Sequence, residues 1–551
     1  MIGVKKNVVV FFGLFLVGML FVPTGIPFMV PEAEAVVSTS HISIGQSGTT
    51  NGGDCETVGT WQPQPNSSFP NGGICTLTTD IQITGTGIGI SIASSSVTLD
   101  GAGHTVTGNQ ASGYDHMGLT TCNQCHTMVV KDLTIKNFSW GIRSNYANGL
   151  TITGVTIENI GSYGVYLSGA DGLTFESNNI SGLVNIVGYN AYWGQGNGSC
   201  TGNGQHVSSS QDGPMVIKSN TITGNGLSVE GSGYCIDGNT ISGASTGIYI
   251  AATSFNAGAT PTSHIISNNV ITGSQTGIKV VSNADGNTIT SNTIKDGLEG
   301  IGCSGSDNNT ISGNTITNNK PSNFGLSGTS QAMAIGTCDN NTISNNQITN
   351  GVYGLEVNTS HNNIIDSNTF TGNTCSTGAG TVCGTGLRLL GATGNTITNN
   401  ISNNNAQFGF NIVAGSTGNT LTDNTANNNG NTANSQFGYG IHVDVTGNTM
   451  SGNVASGNGC SGSSFSSCTN NSGDFGGAGA PAFPPTVTVP SDITISASTP
   501  SGTTVTYSGV TATDNISVAS GPTCDIASGT NFVVGTTTVT CTATDGEGNS
   551  G

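Results

Sequence analysis

Asn287-Thr-Ile-Thr-Ser-Asn-Thr-Ile294 decides the fold, because near-copies of it recur over most of the chain. The phrase is a β-branched run, one or two asparagines and a second β-branched pair. It returns at Leu150-Thr-Ile-Thr-Gly-Val-Thr-Ile157, Asn309-Thr-Ile-Ser-Gly-Asn-Thr-Ile316, Asn341-Thr-Ile-Ser-Asn-Asn-Gln-Ile348 and Asn395-Thr-Ile-Thr-Asn-Asn-Ile401. Its last apolar residue marks a series: Ile135, Ile157, Ile180, Ile222, Ile241, Ile271, Ile294, Ile316, Ile348, Phe370, Ile401, Ala426 and Ala455. Successive differences such as 157−135, 294−271 and 316−294 are 22 or 23 residues. Such a unit holds about three short strands at roughly 3.3 Å per residue plus turns, too short for a helix-containing repeat with its own core. It therefore reads as one rung of a β-solenoid, and the period-2 alternation agrees.

Within a rung, isoleucine points inward to stack on the rungs above and below, and threonine faces out. Asparagine at the tight corner tolerates a left-handed φ and bonds its counterpart in the next rung, forming a ladder. The asparagines thus read as structural, and none is a catalytic candidate.

A second phrase, Gly-apolar-X-apolar, recurs on another side of each rung, as in Gly164-Val-Tyr-Leu and Gly386-Leu-Arg-Leu. If its neighbours point in, X points out. The exposed row so predicted is Arg143, Tyr166, Tyr249, Lys279, Glu356, Arg388, Asn411 and His442.

Outward from the coil, Lys5 and Lys6, the uncharged run Val8 to Val22 and Ala33-Glu34-Ala35 form a secretory signal over residues 1–35, with Val36 the expected mature start. A membrane is a partner only if that segment stays uncleaved. The net charge of −19, with Arg143 and Arg388 the only arginines, excludes nucleic acid as a partner, since phosphate neutralisation needs clustered cations. An even count of 14 cysteines in an exported chain reads as disulfides between local couples: Cys55/Cys75, Cys122/Cys125, Cys200/Cys235, Cys303/Cys338, Cys375/Cys383, Cys460/Cys468 and Cys524/Cys541. Residues 36–96 lack the repeat and are expected to cap the coil.

At Val97-Thr-Leu-Asp-Gly-Ala-Gly-His-Thr-Val106 and in the Asn-Thr-Ile phrases, the chain resembles the right-handed parallel β-helix, or pectin-lyase-like, superfamily over residues 97–475. The resemblance implies an all-β solenoid whose outward row is the floor of a polysaccharide groove. It does not choose a function, since lyases, hydrolases, epimerases, phage adhesins and non-catalytic surface proteins share that fold. After a Gly- and Pro-rich linker, residues 476–485, the stretches Ala512-Thr-Asp-Asn515 and Gly529-Thr-Asn-Phe-Val-Val-Gly-Thr-Thr-Thr-Val-Thr-Cys541 resemble the hyalin-repeat (HYR) domain of extracellular adhesion proteins. This implies an immunoglobulin-like sandwich over residues 486–551, expected to be C-terminally incomplete.

Ligand-binding candidates are Arg143, Tyr163, Tyr166, Tyr192, Trp193, Glu356, Arg388 and His442, because exposed aromatics stack on sugar faces and the row crosses the expected groove. Hydrolysis needs two carboxylates roughly 5 to 9.5 Å apart. Glu356 and Asp444, three rungs or about 14 Å apart, are too distant. Lone arginines depart from the cation clusters of the resembled lyases. No catalytic residue and no cofactor is therefore assigned. Cys122-Asn-Gln-Cys125-His126 is read as a disulfide, with a metal site at Cys122, Cys125 and His126 as the alternative, since one β-helix relative serves in copper-site maturation of nitrous oxide reductase. The expectation is a secreted or cell-surface adhesive or structural protein that binds a polysaccharide or glycoprotein surface and other cell-surface proteins. The alternatives are a polysaccharide lyase, hydrolase or epimerase, and copper handling.

Overall fold

The computed structural model describes residues 36–551 except 40, 46–52, 65–71, 111–112, 114, 147, 170–171, 188–214, 232, 252–262, 282, 326–329, 375–383, 431–437, 460–474, 477–483, 515–517 and 546–549. Each rung contributes one strand to each of three sheets, and each sheet holds 16 strands. In the rung containing the organising phrase, Thr288–Thr290 lies in sheet 1, Thr293–Lys295 in sheet 2 and Glu299–Ser304 in sheet 3. Pairing between rungs is parallel, as a coil of constant hand requires. The chain is an all-β right-handed parallel β-helix followed by a separate β domain.

The coil starts earlier than the repeat suggested. Val36–Thr39 pairs with the sheet 2 strand Asp80–Ile83, and Ile42–Ile44 with the sheet 3 strand Ile90–Ile92, so the expected boundary at Val97 falls inside the sheets. What sets this region apart is the short helix Cys55–Val58 and the strand Gly59–Pro63, which pairs antiparallel with Gly73–Leu77 and is locked by the Cys55–Cys75 disulfide.

The core is a set of apolar columns. Ile271, Ile294, Ile316 and Ile348 stack in sheet 2, and Ile266, Ile289, Ile311 and Ile343 in sheet 1, all at most 1% exposed. At the start of most sheet 3 strands a glycine lets the backbone close down on the sheet 2 column. A Cβ on Gly277 would lie 2.5 Å from the Gly300 carbonyl oxygen and 2.5 Å from Ile294 Cγ2. That contact explains the glycine in the second phrase.

Two neighbouring residues divide the work expected of one corner asparagine. Ser291, Asn345, Ser367, Asn399 and Asp423 take the left-handed turn, with φ between 55° and 57°. The residue after each, Asn292, Asn346, Asn368, Asn400 and Asn424, turns inward and is buried. Asn314 shows the ladder pattern: its Nδ2 donates to Asn346 Oδ1 at 3.0 Å and to the Ile289 carbonyl at 2.9 Å. Its Oδ1 accepts from the Asn292 backbone N–H and Nδ2, both at 3.0 Å. Donors and acceptors on one short planar group are all used, which neither Asp nor Ser can reproduce. A second ladder runs from His264 through Asn287, Asn309, Asn341, Asn363, Asn395 and Asn419.

The ladder corrects one position. Asn400 takes the corner place, so Ile401 faces out, 43% exposed, and Ser402 occupies the inward column beside Phe370, 0% exposed. A one-residue offset exchanges the faces of every side chain in a strand. Ser402 meets its burial by donating to the Gly409 carbonyl at 2.7 Å.

In the C-terminal domain, three antiparallel pairs form: Thr486–Thr488 with Thr511–Thr513, Thr503–Val505 with Thr530–Phe532, and Val518–Cys524 with Cys541–Asp545. Cys524 and Cys541 are direct cross-strand partners joined by a disulfide. The pairs do not merge into continuous sheets. Val489, Ile493, Ile495, Val533 and Val534 line an open cleft of about 680 Å³ between them.

Candidate functional site

The row predicted from the second phrase is one continuous file on the outer face of sheet 3. Register carries it rung by rung through Arg143, Tyr166, Asn185, Ser228, Tyr249, Lys279, Gly302, Ala334, Glu356, Arg388, Asn411 and His442. Asn185, Ser228, Gly302 and Ala334 were not anticipated, because their rungs lack a large residue at X. Beside this file runs a second, one residue before the strand glycine, with Trp140 and Tyr163 on adjacent rungs and Tyr353 and Thr385 further on.

The two files converge on an aromatic platform. Trp140 and Tyr163 stack at 4.7 Å between centroids with 28° between planes. Tyr166 meets both edge-on at 5.5 Å. The Arg143 guanidinium lies 5.4 Å from the Trp140 ring centroid. Stacked and edge-on pairs of this kind fix ring orientation beyond what area burial alone provides. Trp140 is not among the candidates named from sequence; the signal that isolates it is its place directly before Gly141, as Tyr163 stands before Gly164. Tyr192 and Trp193 lie outside the described residues. His116 is 0% exposed and packs its ring 5.0 Å from Phe138 inside the coil.

Eight rungs along the same face, Glu356 accepts from Arg388 Nη1 at 3.0 Å and from Gln331 Nε2 at 3.3 Å. Arg388 also lies 5.6 Å from the Tyr353 ring centroid. Burial pushes the Tyr353 phenol above its ordinary range, with Arg388 opposing. The two charges form a cross-strand ion pair on adjacent rungs.

Between Lys279 and Glu356 the file narrows to Gly302 and Ala334. The Glu299 carboxylate covers Gly302, which is buried: a Cβ there would lie 2.7 Å from Glu299 Oε1. Thr276 Oγ1 donates to Glu299 Oε2 at 3.1 Å. Sequence reasoning missed Glu299 because it precedes Gly300 rather than standing at X.

At the far end His442 sits against Phe408 at 5.1 Å and Tyr439 at 4.9 Å. Its Nε2 is 3.2 Å from Asp444 Oδ1 and its Nδ1 3.1 Å from Asn411 Oδ1. Burial holds the imidazole below its ordinary range while Asp444 pulls it back. Asp444 and Glu356 remain three pairing steps apart.

Cys122 and Cys125 are joined as a disulfide, as are Cys303 and Cys338; Cys235 is also disulfide-bonded. The Cys122–Cys125 pairing lies directly before His126 in the sequence. Among the described residues no group of three or more His, Cys, Asp or Glu is placed to hold a metal ion. Cys200, Cys375, Cys383, Cys460 and Cys468 lie outside the described residues.

The fold and its repeats define a right-handed β-helix protein. The profile described as "Right handed beta helix region" matches residues 140–294, 203–334 and 322–474, more than half of the chain, and the chain belongs to that family. The HYR domain profile matches residues 482–551, and that of "Periplasmic copper-binding protein (NosD)" residues 51–199. No curated protein matches the chain. Among solved structures, the periplasmic alginate epimerase AlgG is similar at 12% identity and a TM-score of 0.32, covering 69% of this chain and 78% of its own. A tailspike protein double mutant of E. coli bacteriophage HK620, in complex with a pentasaccharide, is similar at 10% identity and a TM-score of 0.38, covering 76% and 72%. DFA-IIIase from Arthrobacter chlorophenolicus A6 follows at 13% identity and a TM-score of 0.29, covering 63% and 81%. Likenesses this distant carry no argument about activity.

Proposed function

We propose that the protein is an exported, surface-acting glycan-binding protein whose primary contact is the platform of Trp140, Arg143, Tyr163 and Tyr166. The single observation that carries this reading is the platform itself: three rings on two adjacent rungs, held in fixed orientation on the outer face of a rigid sheet. A pyranose presents an apolar face to such rings and hydroxyls to the guanidinium beside them. The strongly negative chain, with few cations along the file, favours neutral over polyanionic glycans. Disulfides at Cys55–Cys75, Cys122–Cys125, Cys303–Cys338 and Cys524–Cys541 support an oxidising, exported setting. The HYR domain supports adhesion to other surface proteins.

The test is affinity electrophoresis of the full chain through gels containing a panel of neutral and acidic polysaccharides, with Tyr163→Ala and Trp140→Ala beside wild type. Retardation by at least one neutral glycan, lost in both variants, supports the reading. Migration that no glycan alters overturns it, leaving a structural or protein-binding surface protein.

A further inference from the structure

We infer that the outer face of sheet 1, from Thr288 to Ser451, is an ice-binding surface. It stands apart from the glycan reading, which concerns sheet 3.

Three observations carry it. First, the face is a periodic array of hydroxyls. In six of seven consecutive rungs the sheet 1 strand presents Thr-x-Thr or Thr-x-Ser outward, as Thr310–Ser312, Thr396–Thr398 and Thr420–Thr422 do. Pairing keeps these residues in two straight files without a slip of register. Rungs repeat at about 4.8 Å, and the two files stand about 6.6 Å apart along the strand. The prism face of hexagonal ice presents its oxygens with a short and a long repeat of this order, so the hydroxyls can take places in that lattice. The seventh rung adds an apolar group to the threonine methyls between them, Ile364, 47% exposed.

Second, charge leaves this face partway along the coil. Over the earlier rungs the second file carries Asp100, Lys131, Glu176, Lys218 and Asp237. In the seven strands from Thr288 on, Asp366 is the one charged residue of the two files, and its carboxylate accepts from Ser367, Thr398 and Asn399. A face that only meets liquid water has no reason to change in this way. An ionic group, by contrast, holds a hydration shell that ice would have to strip at a cost.

Third, the connections beside the array are short. The corner from sheet 1 to sheet 2 is two residues in each of these rungs, from Ser291 and Asn292 to Gly452 and Asn453. The long connections, such as those from Thr317 to Gln331 and from Thr371 to Thr385, join sheet 2 to sheet 3 instead. A flat solid can therefore meet the array over six rung steps, about 29 Å. A second copy of this chain is the poorer occupant, because each copy carries a net charge of −19. Ice that grows only between adsorbed molecules must curve its front, so its growth temperature falls below its melting temperature.

The experiment grows ice slowly from a solution of the fluorescently labelled full chain, with albumin as the excluded control, and measures the gap between melting and growth temperatures of single crystals. Thr342→Lys and Thr396→Lys each put an ammonium group into the array. Thr153→Lys makes the same change on the same sheet among the charged rungs. Circular dichroism identifies the folded variants, and either array variant suffices. Wild-type protein taken into the ice with a measurable gap, both lost in the array variants and kept in Thr153→Lys, supports the inference. Exclusion of the wild type alongside albumin overturns it, as does uptake that the array variants retain. Adsorption to powdered cellulose or chitin that Thr342→Lys abolishes, without uptake into ice, also overturns it and gives the face to a crystalline polysaccharide.

Discussion

Asn400 accepts the side-chain amide of Asn368 at 3.0 Å, and through that bond the register of the next strand is decided. The neighbour of Asn400, Ile401, looks like a core residue by sequence, but the ladder claims the inward corner first and leaves Ser402 to face the core. Restoring the consensus by Ser402→Ile should therefore destabilise the protein, by about 1 to 3 kcal/mol, because the site is closed by Gly386 and Asn405. Ile401→Thr should change stability by less than about 0.5 kcal/mol. Chemical denaturation of both variants checks the pair, and a stabilised Ser402→Ile would refute the register.

Asn346 sits in mid-ladder, accepting from Asn314 and donating to Asn368 at 2.9 Å. Asn346→Ala strands buried donors on one side and an acceptor on the other, at a cost of about 2 to 4 kcal/mol. The midpoint of urea unfolding should fall while its slope is unchanged.

His264 starts the second ladder where an asparagine would otherwise stand, wholly buried, its Nε2 2.9 Å from the Gly231 carbonyl oxygen. Burial lowers its pKa from 6.5 to about 4. Above pH about 6.5 the folded and unfolded states both hold it neutral; below that the unfolded chain binds a proton that the folded chain refuses until about pH 4. Stability contributed by this site should thus be full at neutral pH and decline as pH falls from about 6.5 to about 4. Melting temperatures across that window, compared with those of His264→Asn, should show a component that the variant lacks.

Cys122 and Cys125 should resist alkylation until a reductant is added, and mass spectrometry of the unreduced chain should find the pair two hydrogens lighter than the dithiol. Stoichiometric copper binding through these thiols in the protein as isolated would contradict the bond.

Much of the fold was legible because a repeat states its own period, and because threonine, isoleucine and asparagine have distinct places on a rung. Less visible was the division of the corner between two residues, since Ser291 and Asn292 differ in role through the backbone rather than through composition. The file of outward residues could be read from the glycine that precedes it. Trp140 and Glu299 were not singled out, because they stand before that glycine, and which side of the strand such a residue covers depends on how closely sheet 3 presses on the Ile294 column. The start of the coil was hidden because strands such as Ile42–Ile44 and Ile90–Ile92 join the sheets without the asparagine phrase.

In the corner ladder every side-chain amide from Asn178 to Asn424 points its N–H toward the following rung and its carbonyl toward the preceding one. Their dipoles therefore add instead of cancelling, each bond polarising the next. The coil thereby acquires an electric axis, positive toward its C-terminal end, so that its two ends are electrostatically unlike even where the rungs are chemically the same.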